Sequence, residues 1–508
     1  MNLLSSTSIF SFFTLMSRIL GYLRDILIAF FLGASIFADA FFVAFRLPNT
    51  FRRLFAEGTF NAAFIPSYTT AKLENKKKGK KFADDILGSL LIILIFIVTV
   101  VEIFTPYLVY LIAPGFIEND VKFNLAVELT RITFPFLLFV SLSSFFSGIL
   151  NSNNKFAAAA AAPIILNIIL ILSLIISYKL NLNIAKQLSY GVTLAGILQL
   201  IFLFFVTLKF YKPSLTFKLK ADSKVKFFFK KLLPSVFSSG VTQVNILIGT
   251  IIASFETGAV SYLYYADRIY QINLAIAGIA VGTVSLPALS KAFKNKNIKK
   301  LSNIQSKSFE LSLLLSIPAS LGLILASEEI VNALFGYGSF SPEDVKLTSL
   351  ALKYFGYGVP AFALIKILSN FFFARDNTKT PFYISMGIVI VNISISVSLF
   401  SNFGFIIIPI ATSISTWLGV LIYIYLLNKK KFLLLNIELM PSFFKILTSS
   451  IIMSLILILA LKYYASYLDY FYNYKAIYLI SIVGFTGSVY LLSCYLLGIL
   501  KIKKYKTN

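Results

Sequence analysis

The 508-residue sequence contains no histidine. That absence removes imidazole general bases, imidazole metal ligands and any Ser-His-Asp arrangement. Cysteine is limited to Cys494, inside an apolar run, which excludes an internal disulfide and cysteine-based metal clusters. Carboxylates are scarce, 21 against 46 basic residues. Their close pairs, Asp84-Asp85, Glu328-Glu329 and Glu343-Asp344, fall at loops or helix ends. A membrane enzyme acting on polyprenyl phosphates would need clustered carboxylates for Mg²⁺ or a general base. Such an enzyme is therefore not expected, nor is a metal or a cofactor. Long polar regions are missing too, and only 13% of residues are charged.

What fills the sequence is apolar surface. Hydrophobic residues make up 58% of the chain and mean hydropathy is +0.84, beyond what a water-soluble domain tolerates. Runs of the roughly 20 apolar residues that a spanning helix needs recur throughout, for example around residues 86–101, 164–177 and 446–461. The expected fold is an all-α polytopic membrane protein with about 14 transmembrane helices. The first apolar stretch meets Arg18, Arg24 and Asp25 without a small-x-small cleavage site, so it is expected to be retained rather than cleaved as a signal peptide.

The net charge of +25 does not point to nucleic acid, because the lysines sit in short clusters between apolar runs. Lysine-rich loops at residues 72–81, 209–231, 291–300, 429–431 and 501–506 alternate with short neutral or acidic ones at 33–38, 113–121, 256–258 and 327–344. By the positive-inside rule the lysine-rich set faces the cytoplasm and both termini are cytoplasmic. The loop with Lys179 and Lys186 fits the alternation least well.

The chain also resembles itself. Pro66 aligns with Pro287 at a shift of 221, and Pro135, Phe146, Asn151 and Asn167 align with Pro360, Phe371, Asp376 and Asn392 at a shift of 225. Six helices per copy keep the same orientation, so the copies are parallel repeats with a cavity expected between them. The organisation expected is an N-lobe at 1–212, a C-lobe at 213–431 after a basic linker, and a two-helix appendage with a basic tail at 432–508.

Arginine and lysine are distributed differently. The arginines are Arg18, Arg24, Arg46, Arg52, Arg53, Arg131, Arg268 and Arg375, and all but Arg375 lie in or against predicted spans. A spanning-helix arginine costs about 2.5–3.5 kcal/mol on insertion scales, so it faces a cavity or a partner. Guanidinium keeps its charge and offers a planar fork matched to phosphate oxygens. Arg18 and Asp25, seven apart, share a stripe, as do Asp39, Arg46 and Arg53, and Glu57 stands one turn beyond Arg53. Five arginines against three carboxylates between residues 18 and 57 leave pairing incomplete, and Asp267-Arg268 adds charge in the second copy. An anion-binding cavity is expected; Arg46 and Arg131 are the arginines best explained by pairing or by reaching a lipid headgroup. Glu57 and Arg375, near corresponding ends of the two copies, are a candidate gate.

These segments resemble a known family. Ser17-Arg18-Ile19-Leu20-Gly21-Tyr22-Leu23-Arg24-Asp25, Ala38-Asp39-Ala40-Phe41-Phe42-Val43-Ala44-Phe45-Arg46-Leu47-Pro48-Asn49 and Arg52-Arg53-Leu54-Phe55-Ala56-Glu57-Gly58 are similar to the start of the lipid II flippases (MurJ, also called MviN) of the MOP exporter superfamily. Leu233-Pro234-Ser235, and Tyr264-Tyr265-Ala266-Asp267-Arg268 through Gly282-Thr283-Val284-Ser285-Leu286-Pro287, agree as well. The resemblance implies translocation of the undecaprenyl-diphosphate-linked peptidoglycan precursor across the bacterial inner membrane, by a monomer whose partners are lipid II and membrane lipids. It implies substrate binding at Arg18, Arg24, Arg52 and Arg268, with Asp25 and Asp39 as acidic neighbours; Arg53 joins them on its spacing. A related exporter of another lipid-linked oligosaccharide is the alternative. Some family members carry a sodium site built on carboxylates, but the corresponding stretches here, Asn245-Ile246-Leu247-Ile248-Gly249-Thr250 and Asn392-Ile393-Ser394-Ile395-Ser396, contain none. That puts sodium coupling in doubt and leaves the membrane potential acting on fixed cations, or coupling to a cation, as the expected energy sources.

Overall fold

The computed structural model describes residues 3–54, 60–214, 228, 230, 243–436 and 439–500. Glu57, the Leu233-Pro234-Ser235 motif, most of the basic loop 209–231 and the tail 501–506 lie outside the described residues. Every described element is a helix, as uniformly apolar segments in a bilayer require, because only a helix or a closed barrel satisfies its backbone there. Ten stretches among the described residues are long and apolar enough to cross a membrane, and three of them, Asp120–Ser152, Ala259–Lys294 and Lys379–Lys429, each hold two helices. The expected count of about 14 goes beyond these ten.

The chain forms two compact units, residues 1–261 and 262–508. The first contains α1 (Leu3–Leu32), α2 (Ile36–Leu54), α3 (Phe60–Glu74), α4 (Lys76–Ile103), α5 (Thr105–Ile112), α6 (Asp120–Thr133), α7 (Phe136–Ser152), α8 (Phe156–Lys179), α9 (Ile184–Thr207) and α10 (Gln243–Ala253). Helix α11 (Ala259–Leu274) begins at its edge. Helix starts read directly from the sequence: the side chains of Asn75, Asn119 and Asn183 accept from the N–H groups of Lys77, Lys122 and Lys186 at 2.8, 3.0 and 3.1 Å. One end of the unit is an aromatic core in which Phe64 stacks on Phe60 and Tyr68 and meets Phe145 edge-on at 5.2 Å.

The second unit continues α11 through a π-helical turn, Ala275–Ala280, into α12 (Val281–Lys294). It adds α13 (Ile298–Leu325), α14 (Ser327–Phe335), α15 (Pro342–Phe373), α16 (Lys379–Phe403), α17 (Ile407–Lys429), α18 (Leu439–Tyr463) and α19 (Lys475–Leu496). The last two helices dock on α13 and α14: the Tyr490 hydroxyl donates to the Leu314 carbonyl at 2.7 Å and the Asn332 amide to the Leu468 carbonyl at 2.8 Å. Ser312 and Ser316 on α13 and Ser449 and Ser450 on α18 are buried, the small residues that let helices approach closely where lipid tails supply no hydrophobic drive. Buried Lys475 fastens the start of α19, donating to the carbonyls of Gly336 and Tyr470 at 2.6 and 2.5 Å beneath the rings of Tyr337 and Tyr470.

Positions paired by the internal repeat occupy like places in each unit. Pro66 and Pro287 lie inside α3 and α12, and Asn167 and Asn392 are buried on α8 and α16.

Close packing gives a test. A methyl at Gly196 on α9 would stand 2.7 Å from the Phe136 ring, whereas one at Gly322 on α13 would meet nothing within 4 Å. Gly196→Ala should cost about 1–3 kcal/mol, seen as a lower temperature for loss of monodisperse protein in detergent; Gly322→Ala should leave that temperature unchanged or raise it slightly.

Candidate functional site

Buried charge among the described residues of the first unit collects at three places, the third being the Asp84-Asp85 pair. The first lies midway along α1, where Gly21 leaves room for the Asn167 side chain of α8, 3.6 Å from where a glycine Cβ would stand. The Asn167 amide donates to the Ser17 carbonyl at 2.9 Å, which turns its oxygen toward Arg24. Arg24 donates to that oxygen at 3.0 Å and to Asp25 Oδ1 through Nε and a terminal nitrogen at 3.0 and 2.6 Å. Both charged residues are buried, at 6% and 2% exposure, so the pair sits in a low-dielectric setting where such bonds are strong. Three of the five N–H donors of this guanidinium are engaged. Asp25 turns to its neighbour Arg24, while Arg18, on the same stripe of α1, is exposed.

The second place is Asp39 on α2, which has no exposure at all. One carboxylate oxygen accepts from Lys122 Nζ at 2.6 Å and the Gly258 N–H at 2.9 Å; the other accepts from the N–H and hydroxyl of Ser261 at 3.0 and 2.6 Å. Gly258 and Ser261 bracket the start of α11, so the carboxylate also sits against that helix's free N–H groups and positive dipole end. Lys122 is 3% exposed and lies 4.1 Å from the centre of the Phe116 ring. The sequence spacing set Asp39 beside Arg46 and Arg53; the structure gives it Lys122 from α6. That lysine went unnoticed because it stands at the edge of a loop, where lysines ordinarily report only topology.

The remaining candidates are distributed as follows. Arg52 and Arg53 are half-buried at the end of α2, with Arg52 Nε donating to Asn49 at 3.1 Å one turn back. In the second unit Arg268 is half-buried on α11, donating to the Tyr264 hydroxyl at 2.8 Å with its guanidinium 4.9 Å from that ring's centre. Its neighbour Asp267 accepts from Gln271. Arg375, the gate candidate, lies between the rings of Phe293 and Phe432 at 5.2 and 4.4 Å and donates to the carbonyls of Phe371 and Phe432 at 2.6 and 3.3 Å. Glu57, its expected counterpart, is outside the described residues.

Two of the acidic pairs place a member in a structural role. Asp84 accepts from the Tyr211 hydroxyl at 2.5 Å and the Ser214 N–H at 3.0 Å, and burial followed by that bond to Asp84 pushes the Tyr211 hydroxyl up. Asp344 closes a capping box with Ser341 at the start of α15. Where a sodium-type site would draw on Asn392, its amide donates to Thr412 at 3.2 Å and its oxygen accepts from Ser396 at 3.2 Å. No group of three or more histidine, cysteine, aspartate or glutamate residues suited to a metal ion occurs among the described residues.

The family model described as lipid II flippase MurJ matches residues 28–479. The chain belongs to that family. A relative from Rickettsia prowazekii (strain Madrid E), named probable lipid II flippase MurJ, is 39% identical over 97% of this chain and 98% of its own. One from Burkholderia cenocepacia, named lipid II flippase MurJ, is 36% identical over 77% of each chain. A solved lipid II flippase MurJ in an inward closed conformation aligns with a TM-score of 0.81 at 28% identity, covering 96% of this chain and 98% of that one. An inward-facing MATE-family multidrug transporter of the MOP superfamily shares the fold, with a TM-score of 0.65 at 14% identity over 82% of this chain and 94% of that one. The protein is a multi-pass membrane protein of the MurJ family.

The buried Asp39–Lys122 pair yields a double-mutant test. Lys122→Met leaves an uncompensated buried carboxylate and should cost about 3–5 kcal/mol, measured as lost thermal stability in detergent. Adding Asp39→Asn should recover much of that loss, and a double variant no more stable than Lys122→Met would contradict the pairing.

Proposed function

We propose that this protein moves the undecaprenyl-diphosphate-linked peptidoglycan precursor lipid II from the cytoplasmic to the periplasmic leaflet of the bacterial inner membrane. The observation that carries this reading is membership of the lipid II flippase family over nearly the whole chain. The reading takes residues 1–212 and 213–431 as lobes that alternate access, residues 432–508 as an appended pair supporting the lipid tail, and the protein as a monomer with both termini cytoplasmic and no cofactor.

The diphosphate, in this reading, is held by Arg18, Arg24, Arg52 and Arg268, with Arg53 beside them. Guanidinium recognition of phosphate needs free, planar donors. Arg18 is exposed, and Arg52 and Arg268 are half-buried, which leaves them access to a ligand. Asp25 and Asn167 already take three of the five Arg24 donors, so a phosphate that draws on more than the remaining two competes with an internal carboxylate for the same fork. That competition links substrate arrival to a change in packing between α1 and α8. Pairing of Arg375 with Glu57 as a gate likewise requires Arg375 to leave its two aromatic rings. Resetting draws on the membrane potential, worth about 2.3 kcal/mol per unit charge per 100 mV.

Arg24→Lys, Arg52→Lys and Arg268→Lys keep the charge and lose the fork. Each should fail to support growth in a host depleted of its own flippase, with lipid-linked precursor accumulating in the cytoplasmic leaflet. Full rescue by all three lysine variants would remove the arginines from phosphate recognition. Failure of the unaltered protein to rescue would remove the flippase reading itself.

A further inference from the structure

Between Lys353 and Arg375 the sequence carries one charge, Lys366, two turns before the end of α15. The helix around it is closed: Val359, Pro360, Ala361, Ala363, Leu364, Ile367, Leu368, Ser369 and Asn370 are all buried. Lys366 is exposed. Its ammonium has no hydrogen bond and no carboxylate partner among the described residues.

The side to which it opens can be worked out from the helix. Tyr357, nine residues earlier, lies on the opposite face at 100° per residue. Tyr357 is exposed in an apolar groove with Ile317, Leu321, Trp417 and Leu421, the composition expected of a lipid-facing strip. Lys366 therefore emerges away from that strip, where an unpaired ammonium at membrane depth is tolerated if it meets water or an anion. On its own side it faces the π-helical turn Ala275–Ala280: a methyl on Gly278 would stand 3.6 Å from Lys366 Cγ and 3.2 Å from Ala363 Cα. One turn further along α15, Asn370 donates to the Gly282 carbonyl at 2.7 Å, fixing this part of α12 against α15. Single π turns inside helices recur at functional sites, and this one, with its glycine, makes the space through which the lysine stem passes.

We infer that Lys366 is a second recognition point for an oxyanion of the transported substrate, separate from the phosphate ligand Arg268. Both residues belong to the second unit and stand beside the same helical rod. Gly278 is ten residues beyond Arg268, about 15 Å along that rod at helical rise, which sets the lysine stem well beyond the Arg268 backbone along it. The two sources of such an oxyanion are a carboxylate of the precursor's peptide stem, read while the diphosphate is held elsewhere, and the diphosphate itself at a second station on its path. A lysine, a compact point charge on a flexible stem, suits a single carboxylate better than the fork-matched phosphate.

The inference rests on the flippase reading, and the experiment separates the two. Purified full-length protein in lipid nanodiscs is titrated with three probes: precursor with free stem carboxylates, the same precursor with those carboxylates amidated, and undecaprenyl diphosphate. Lys366→Gln should weaken binding of the free-carboxylate precursor about tenfold, with Lys366→Arg restoring most of it and unchanged thermal stability showing that the fold is intact. Loss confined to the free-carboxylate probe assigns the stem; equal loss on all three assigns the diphosphate. In a Cys494→Ser background, Lys366→Cys should react with a charged, membrane-impermeant thiol reagent. Unchanged binding of all probes by Lys366→Gln, or an unreactive Lys366→Cys, would overturn the inference. Failure of the unaltered protein to bind any probe would count against the flippase reading.

Discussion

A carboxylate with no access to solvent costs several kcal/mol unless its charge and lone pairs are met, and Asp39 meets that demand from three parts of the chain at once. Lys122 brings the charge, Gly258 and Ser261 bring the N–H groups of a helix start, and the Ser261 hydroxyl completes the set. The contacts span more than 200 residues of sequence, so they close one end of the first unit far more strongly than local propensity could. Nearby, the Gly115 N–H donates to the Ser254 hydroxyl at 3.0 Å, and a methyl on Gly115 would lie 2.5 Å from the Phe255 backbone. Backbone from residues 254–261 is thus held tightly against α2 and the segment before α6. This explains why the first compact unit runs on to residue 261 rather than stopping near 212.

The same accounting governs Arg24. Its charge is met by Asp25, but a carboxylate beside it in sequence cannot also orient the far end of the fork. Asn167 does that, and is itself held by the Ser17 carbonyl, so α1 and α8 are joined through a polar network whose members are all satisfied. In lipid, where apolar contact between helices gains little over contact with acyl chains, such a network supplies specificity to the packing.

Much of this fold could be read in advance. Apolar runs separated by lysine clusters mark the helices, asparagines at 75, 119 and 183 mark where helices begin, and the spacing of Pro66, Asn167, Pro287 and Asn392 exposes the repeat. Charge pairing was less legible. Seven-residue spacing placed Asp25 with Arg18 and Asp39 with Arg46, because a helical wheel sees only neighbours on one helix. The partners that matter come from elsewhere: Asn167 lies 143 residues from Arg24, and Lys122 lies 83 residues from Asp39. Lys122, Lys366 and Lys475 are hard to single out in the sequence because lysine in this chain mostly reports topology, and those that act otherwise are distinguished only by burial or by depth. Arg375 shows the reverse, a loop cation whose described partners are aromatic faces and carbonyls that no pattern of charges could have indicated.

The repeat sharpens the point about where function resides. Asn167 and Asn392 occupy matching positions, are buried to about the same degree and bond to a neighbouring helix. Asn167 directs its oxygen to a guanidinium on α1, whereas Asn392 directs its oxygen to Ser396 and its amide to Thr412, all neutral. One scaffold position therefore meets a guanidinium in the first unit and the hydroxyls of Ser396 and Thr412 in the second. Duplication supplies two similar frames; the chemistry follows from which frame receives ionised partners. The second frame's charges lie instead on α11 and α15, at Arg268 and Lys366, so its interaction with an anionic substrate must be built from different helices than those used by the first.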